Sequence, residues 1–184
     1  VRSVPREAFL PPYLRELAYA NRPLPIGHEQ TISQPAIVAM MAEALELGPH
    51  DRVLEIGTGS GYAAAVLAQI AAEVFTVERY GELAEKATQR LAQQQIINVH
   101  VKHNDGTQGW PERAPFDAIS VAASGPGVPD ALSEQLHVGG RLVMPVGPKN
   151  GAQTLLRVRR VNENQCMEEE LADFTFVPVL SRPE

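Results

Sequence analysis

Residues 53–68 read VLEIGTGSGYAAAVLA, and no other stretch so narrows what this chain can fold into. A compact apolar run enters a turn holding Gly57, Gly59 and Gly61, and helical spacing begins directly beyond it. Strand, glycine turn and helix in that order form the opening unit of an open α/β sheet. The glycines permit a tight turn and let a ligand approach bare backbone.

The same alternation continues downstream. Strands are expected at 74–78, 99–103, 116–123, 141–147, 154–161 and 170–180, and helices at 61–71, 81–95 and 129–136. Strands separated by helices imply a mostly parallel, doubly wound sheet covered on both faces. The last two strands have only a polar turn containing NEN between them, so an antiparallel hairpin at one edge is expected. Residues 1–50 read as helical and proline-punctuated, a lid across the carboxyl edge of the sheet, with 51–184 as the α/β core of one domain.

Composition excludes several classes of function. A net charge of −6 and no basic stripe argue against a nucleic-acid surface. Arg157, Arg159 and Arg160 alternate with apolar residues and read as the exposed face of a strand, and Glu168, Glu169 and Glu170 as a solvated turn or strand edge. The single cysteine, Cys166, forbids an intrachain disulfide, reads as a surface thiol and fits a reducing, cytoplasmic setting. The longest apolar run, at 63–72, is too short to span a membrane. No signal-peptide pattern opens the chain, and its start at Val1 hints at an incomplete or processed beginning. The five histidines have no metal-ligand spacing, so no metal is expected.

Glu78 ends the second core strand, 17 residues beyond Gly61, where a carboxylate can accept two hydrogen bonds from a ribose diol. The loop spacing is G-x-G-x-G rather than the G-x-G-x-x-G of dinucleotide sites, and Glu55 precedes it. A carboxylate there repels pyrophosphate and favours an ammonium group. S-adenosylmethionine has an amino-acid head, a sulfonium and a ribose, and no phosphate; a nicotinamide cofactor fits less well. Asp105–Gly106 closes the third strand, at the corner where an adenine amine would need an acceptor.

The acceptor is constrained by what is missing. The position after the fourth strand reads AASGPG, without the Asn/Asp-Pro-Pro-Tyr of amino-group methyltransferases. His28 is the nearest candidate base, and a structural loop histidine is the simpler reading of it. A hydroxyl or amine acceptor needs help losing a proton, whereas a carboxylate is already ionised at pH 7. The segment GHEQTISQP at 27–35 offers hydroxyl and backbone donors at a loop-to-helix junction, with Ser33 a candidate N-cap before Pro35.

PLPIGHEQTISQP, VLEIGTGSGY, NDGTQGWPERAPFDAI, GGRLVMPVG and FVPVL together resemble the protein-L-isoaspartate O-methyltransferase family over nearly the whole chain. The resemblance implies a Rossmann-like class I S-adenosylmethionine-dependent methyltransferase, with S-adenosyl-L-homocysteine as product. It implies transfer to the free α-carboxylate of isoaspartyl residues in damaged proteins and peptides, with repair through a succinimide. It places the active-site serine at Ser33, with Gln30, Thr31 and Ile32 lining the cofactor and substrate cleft. Glu55, Gly57, Thr58, Gly59 and Gly61 would hold the methionine end, Glu78 and Arg79 the ribose side, and Asp105 and Gly106 the adenine. Ile32, Val177 and Pro178 would border the substrate. A monomeric state and protein rather than nucleic-acid or membrane partners are expected.

The chain departs from the family pattern at Glu29, where glycine is usual, at Ala63, where glutamine is common, and at Ser124–Gly125–Pro126–Gly127. Family members also commonly carry a helical stretch that would precede Val1. Glu29 could repel an anionic substrate if it faced the site. The alternatives are a related carboxyl methyltransferase with another acid acceptor, or a catalytically weakened cofactor-binding homologue.

Overall fold

The computed structural model describes residues 3–148 and 151–174. Two short 3-10 helices, Arg6–Phe9 and Pro12–Leu17, open the chain, followed by strands β1 (Leu24–Gly27) and β2 (Gln30–Ile32) and helix α1 (Pro35–Ala44). The core then alternates β3 (Arg52–Ile56), α2 (Tyr62–Leu67), β4 (Glu73–Glu78), α3 (Gly81–Gln93), β5 (Val99–His103), β6 (Phe116–Val121), α4 (Asp130–Glu134), β7 (Leu136–Val146), β8 (Gln153–Asn162) and β9 (Gln165–Phe174).

The seven core strands form one sheet in the order β5-β4-β3-β6-β7-β8-β9. The first five run parallel, and β8 and β9 add antiparallel at one edge. Both faces of the central strands β3, β4 and β6 are buried. Val53, Val74 and Ala118 point into one apolar cluster with α1 and α2, while their neighbours Leu54, Phe75 and Ile119 point into another with Leu132 and Leu136. Burial on both faces is why these strands read as near-continuous apolar runs. The chain order reverses beside β3, between β4 and β6, and the carboxyl ends of strands at such a switch point form the natural ligand crevice.

The amino-terminal part corrects the expectation of a helical lid. Pro5, Pro11, Pro12, Pro23 and Pro25 each remove a backbone donor, so the chain manages only two short 3-10 helices before β1. β1 and β2 pair as a separate antiparallel hairpin. The segment is nevertheless well packed. Val4, Phe9, Leu10 and Leu24 share a buried cluster with Tyr62 and Val66 of α2 and Leu83 of α3, and full burial of a side chain such as Phe9 stabilises by roughly 1.5–3 kcal/mol.

Other boundaries also move. α2 is only Tyr62–Leu67, because Gly61, at φ 89°, is its N-cap and a turn follows Leu67. α4 ends at Glu134, and β7 starts at Leu136 instead of 141. β9 begins at Gln165, so Cys166 and Glu168–Glu170 lie within a strand, not a turn. Their cross-strand partners explain this: Arg157 sits opposite Glu169 and bonds it, and Arg157 and Arg159 both pair with Glu46 below α1. Cys166 is exposed, as the surface-thiol reading expects. Among the described residues, no helix is long and apolar enough to cross a membrane.

Candidate active site

A cleft of about 820 Å³, including its open mouth, lies at the carboxyl ends of β3, β4 and β6. Its floor is the glycine loop, Gly57–Ser60. Gly57 and Gly59 take φ of 94° and 53°, the left-handed region that favours glycine. A Cβ at Gly59 would lie 3.2 Å from Ile26 Cδ1 of the hairpin, so the hairpin seats directly on this loop. At the adjacent corner, a Cβ on Gly106 would come within 2.5 Å of Ile56 Cγ2, so only glycine fits there.

Glu78, 4% exposed, lies at the end of β4 and holds the loop in shape. One carboxylate oxygen accepts the Gly59 N–H at 2.8 Å, and the other accepts the Tyr80 N–H at 3.0 Å. Each oxygen keeps a lone pair for a further donor. Glu78 and Arg79 both line the cleft, as do Gln30, Thr31, Ile32 and Ser33 from the hairpin and its exit. Ser33 is half-buried, and its hydroxyl has no hydrogen-bond partner among the described residues.

Ser33 is not the helix cap that its composition suggested. α1 begins at Pro35, so Gln34 occupies the N-cap, and it makes no side-chain cap bond. That leaves the serine oxygen uncommitted to the helix and turned to the cleft wall.

Glu55 also lies elsewhere than expected. It does not line the cleft; it is fully buried one pleat beneath the loop. In parallel register it stands opposite Thr76, whose hydroxyl donates to Oε2 at 2.5 Å. Thr76 Oγ1 lies 2.6 Å from Thr58 Oγ1, so a short polar relay rises from Glu55 to the cleft floor. Oε1 has no partner. Burial pushes the carboxyl up to about 8, opposed by the Thr76 bond and reinforced by the nearby Glu78 charge. Glu55 is thus disposed to be a neutral acid at pH 7, beneath the cleft floor.

Asp105 is likewise set back. One of its oxygens accepts both the Thr107 N–H and the Thr107 hydroxyl, at 2.9 and 2.8 Å, as the cap of a 3-10 turn. Gly106, not Asp105, lines the cleft. Val177 and Pro178 lie outside the described residues. Sequence reasoning missed Ile56, Tyr62, Tyr80, Ala122 and Ala123, all cleft residues. Each follows or ends a strand, or opens α2, at the sheet's carboxyl edge, and that position was the available signal.

Glu29 is exposed and is not among the residues that line the cleft. With His28 it forms the exposed two-residue turn of the hairpin, at φ 51° for His28 and 56° for Glu29. Left-handed backbone costs an L-residue about 1–2 kcal/mol. Glu29→Gly should therefore stabilise the chain, by about 0.5–1 kcal/mol after the unfolded-state entropy of glycine is counted. A thermal melt should show a higher midpoint, with KM for an acceptor peptide unchanged. A lower midpoint would refute the strain, and a lower KM would show that Glu29 repels the substrate.

Gly125, in the unusual Ser124–Gly127 run, bonds Pro145 and Gly147 at the end of β7. A Cβ there would meet Met144 Cε at 2.9 Å, the far end of a flexible side chain that can give way. Among the described residues no cluster of side chains could hold a metal ion.

The strand order, the glycine loop at the switch point and an acidic residue closing β4 define a Rossmann-like, S-adenosylmethionine-dependent methyltransferase. The protein-L-isoaspartate(D-aspartate) O-methyltransferase family model matches residues 1–184, and the chain belongs to that family. It is 60% identical over 180 residues to protein-L-isoaspartate O-methyltransferase 1 of Rhodopseudomonas palustris strain HaA2, covering 98% of this chain and 74% of that protein. It is 57% identical over 177 residues to protein-L-isoaspartate O-methyltransferase 2 of Marinobacter nauticus, covering 96% of this chain and 81% of that one. A solved protein-L-isoaspartate O-methyltransferase superposes with a TM-score of 0.86 at 30% identity over 95% of this chain; the chain spans 58% of that structure. A Plasmodium falciparum structure described as a putative member, in complex with S-adenosyl-L-homocysteine, superposes with a TM-score of 0.80 at 25% identity, covering 95% of this chain and 85% of that one.

Proposed function

We propose that this chain methylates the free α-carboxylate of isoaspartyl residues in damaged proteins and peptides, opening their repair through a succinimide. The observation that carries the proposal is the meeting of Gln30–Ser33 with the glycine loop and Glu78 in one cleft. A relative that acts on isoaspartate and a relative with bound S-adenosyl-L-homocysteine support it.

S-adenosyl-L-methionine, when bound, supplies an electrophilic methyl group. The residues present suit it: bare backbone at Gly57, Gly59 and Gly106 along the cleft, and the Glu78 carboxylate for a ribose diol. In this reading Arg79 and Tyr80 wall the nucleoside side. The Ser33 hydroxyl and the backbone of the hairpin exit orient the acceptor carboxylate. That acceptor is ionised at pH 7, so no cleft residue has to take a proton. The site's work is positioning and replacing water. The lid at 1–50, a monomeric state and a cytoplasmic setting belong to the same reading.

Labelled-methyl transfer to paired isoaspartyl and aspartyl peptides tests this: transfer to the first only is expected. Equal rates on both, or transfer only to other carboxylic acids, would overturn it. Ser33→Ala should lower kcat by about 10- to 100-fold, the loss of one hydrogen bond to a charged acceptor. Its dissociation constant for S-adenosyl-L-homocysteine should stay within about twofold of the parent. If affinity fell as far as turnover, Ser33 would be a cofactor residue.

A further inference from the structure

His28 is left unexplained by the chemistry, since its ring does not line the cleft. It stands at the tip of the β1–β2 hairpin, whose exit supplies Gln30–Ser33. Its ring stacks on Tyr80 with centroids 4.8 Å apart and planes at 28°. Its Nε2 lies 2.9 Å from Glu82 Oε2 in the first turn of α3. The other Glu82 oxygen accepts from Lys86 one turn on, which fixes the carboxylate in place. Gln30, a cleft residue, donates from Nε2 to the His28 carbonyl at 3.2 Å. Tyr80, also a cleft residue, donates its backbone N–H to Glu78.

We infer that His28 is a positioning residue for the cofactor cleft, latching the hairpin that carries Gln30–Ser33 onto Tyr80 and Glu82. The physical reason is the hairpin's isolation. Among the described residues β1 and β2 pair only with each other, and a two-stranded hairpin is marginal alone. Its seating rests on the buried Leu24, Ile26 and Ile32 along its length and on the His28 contacts at its tip. Releasing the tip lets the cleft wall swing from the glycine loop, so the closed arrangement that grips a cofactor is less populated and apparent affinity falls.

The inference rests on the proposed cofactor, so binding is measured without any acceptor. Calorimetric titration of S-adenosyl-L-homocysteine should give a dissociation constant raised about fivefold for His28→Ala, which loses the ring stack and the hydrogen bond, and about threefold for Glu82→Gln, which keeps the stack. The double variant should be no weaker than His28→Ala, because both changes open one latch. His28→Phe, which keeps the stack, should fall between His28→Ala and the parent. Gln89→Ala, exposed on the same helix as Glu82 and bonded to Glu85 rather than to the hairpin, should bind within twofold of the parent. In turnover, KM for S-adenosylmethionine should rise more than kcat falls. A His28→Ala constant within twofold of the parent, a double variant equal to the product of the singles, or a loss confined to kcat would overturn the latch. If His28→Ala does not fold, Glu82→Gln and His28→Phe decide alone. A parent chain that binds no S-adenosyl-L-homocysteine would instead overturn the cofactor reading.

Discussion

Glu78→Ala should raise the dissociation constant for S-adenosyl-L-homocysteine by about 10- to 100-fold. A carboxylate bonded to a ribose diol is worth about 1.5–3 kcal/mol, and its loss alone accounts for that range. The structure adds a second cost. The Gly59 and Tyr80 N–H groups both donate to Glu78, and truncation leaves them without that acceptor beside the cleft. An orphaned buried donor costs about 1–3 kcal/mol, so the loop should also loosen and the melting midpoint drop. Glu78→Gln separates the two effects. Its amide keeps one acceptor oxygen but turns a donor toward one of the two backbone N–H groups, so affinity and stability should both land between Glu78→Ala and the parent. An unchanged dissociation constant in Glu78→Ala would refute the ribose assignment, and unchanged stability would refute its hold on the loop.

Glu55→Gln should make the chain less sensitive to alkaline pH. In the folded protein burial raises the Glu55 carboxyl from 4.5 to about 8, so the native state binds its proton more tightly than the unfolded chain does. The stability this confers is fully present below about 4.5 and is lost as pH rises through about 8. At 1.36 kcal/mol per pKa unit the loss is of order 3–5 kcal/mol across the window. Glutamine is neutral throughout and has nothing to lose. The melting midpoint of Glu55→Gln relative to the parent should therefore climb steadily between pH 5 and 8.5, and a pH-independent difference would show that Glu55 is ionised when folded. Cofactor affinity at pH 7 should change little in the same variant, because a neutral acid is being replaced by a neutral amide. A tenfold loss there would restore Glu55 as a direct partner of the ammonium group.

The behaviour of Glu55 marks where sequence reasoning stops. The motif E-x-G-x-G-x-G places a carboxylate two residues before the loop, and that spacing is what suggested a ligand role. Side chains alternate across a strand, however, and Glu55 on β3 falls in parallel register with Thr76 on β4, beneath the loop. Only strand pairing reveals that neighbour. Asp105 differs for a related reason: Thr107, two residues on, takes one of its oxygens as a local cap before any ligand can.

The sequence by itself determined the α/β class, the parallel sheet, the edge hairpin, the glycine loop and the family. These are carried by local signals: periodicity, glycine at positions of positive φ, and continuous blocks of matching residues. The tertiary structure decided what those signals do not encode. Proline spacing turned the expected helical lid into 3-10 helices and a hairpin, and that hairpin could be placed only by its packing on α2, α3 and Ile26's contact with the glycine loop. It decided that Ser33 is spare, because Gln34 and not Ser33 starts α1. It also decided that Glu29 points to solvent and that His28 grips a helix 54 residues away in the chain. Contacts at such separations depend on where the sheet sets each strand end, and no local pattern records that.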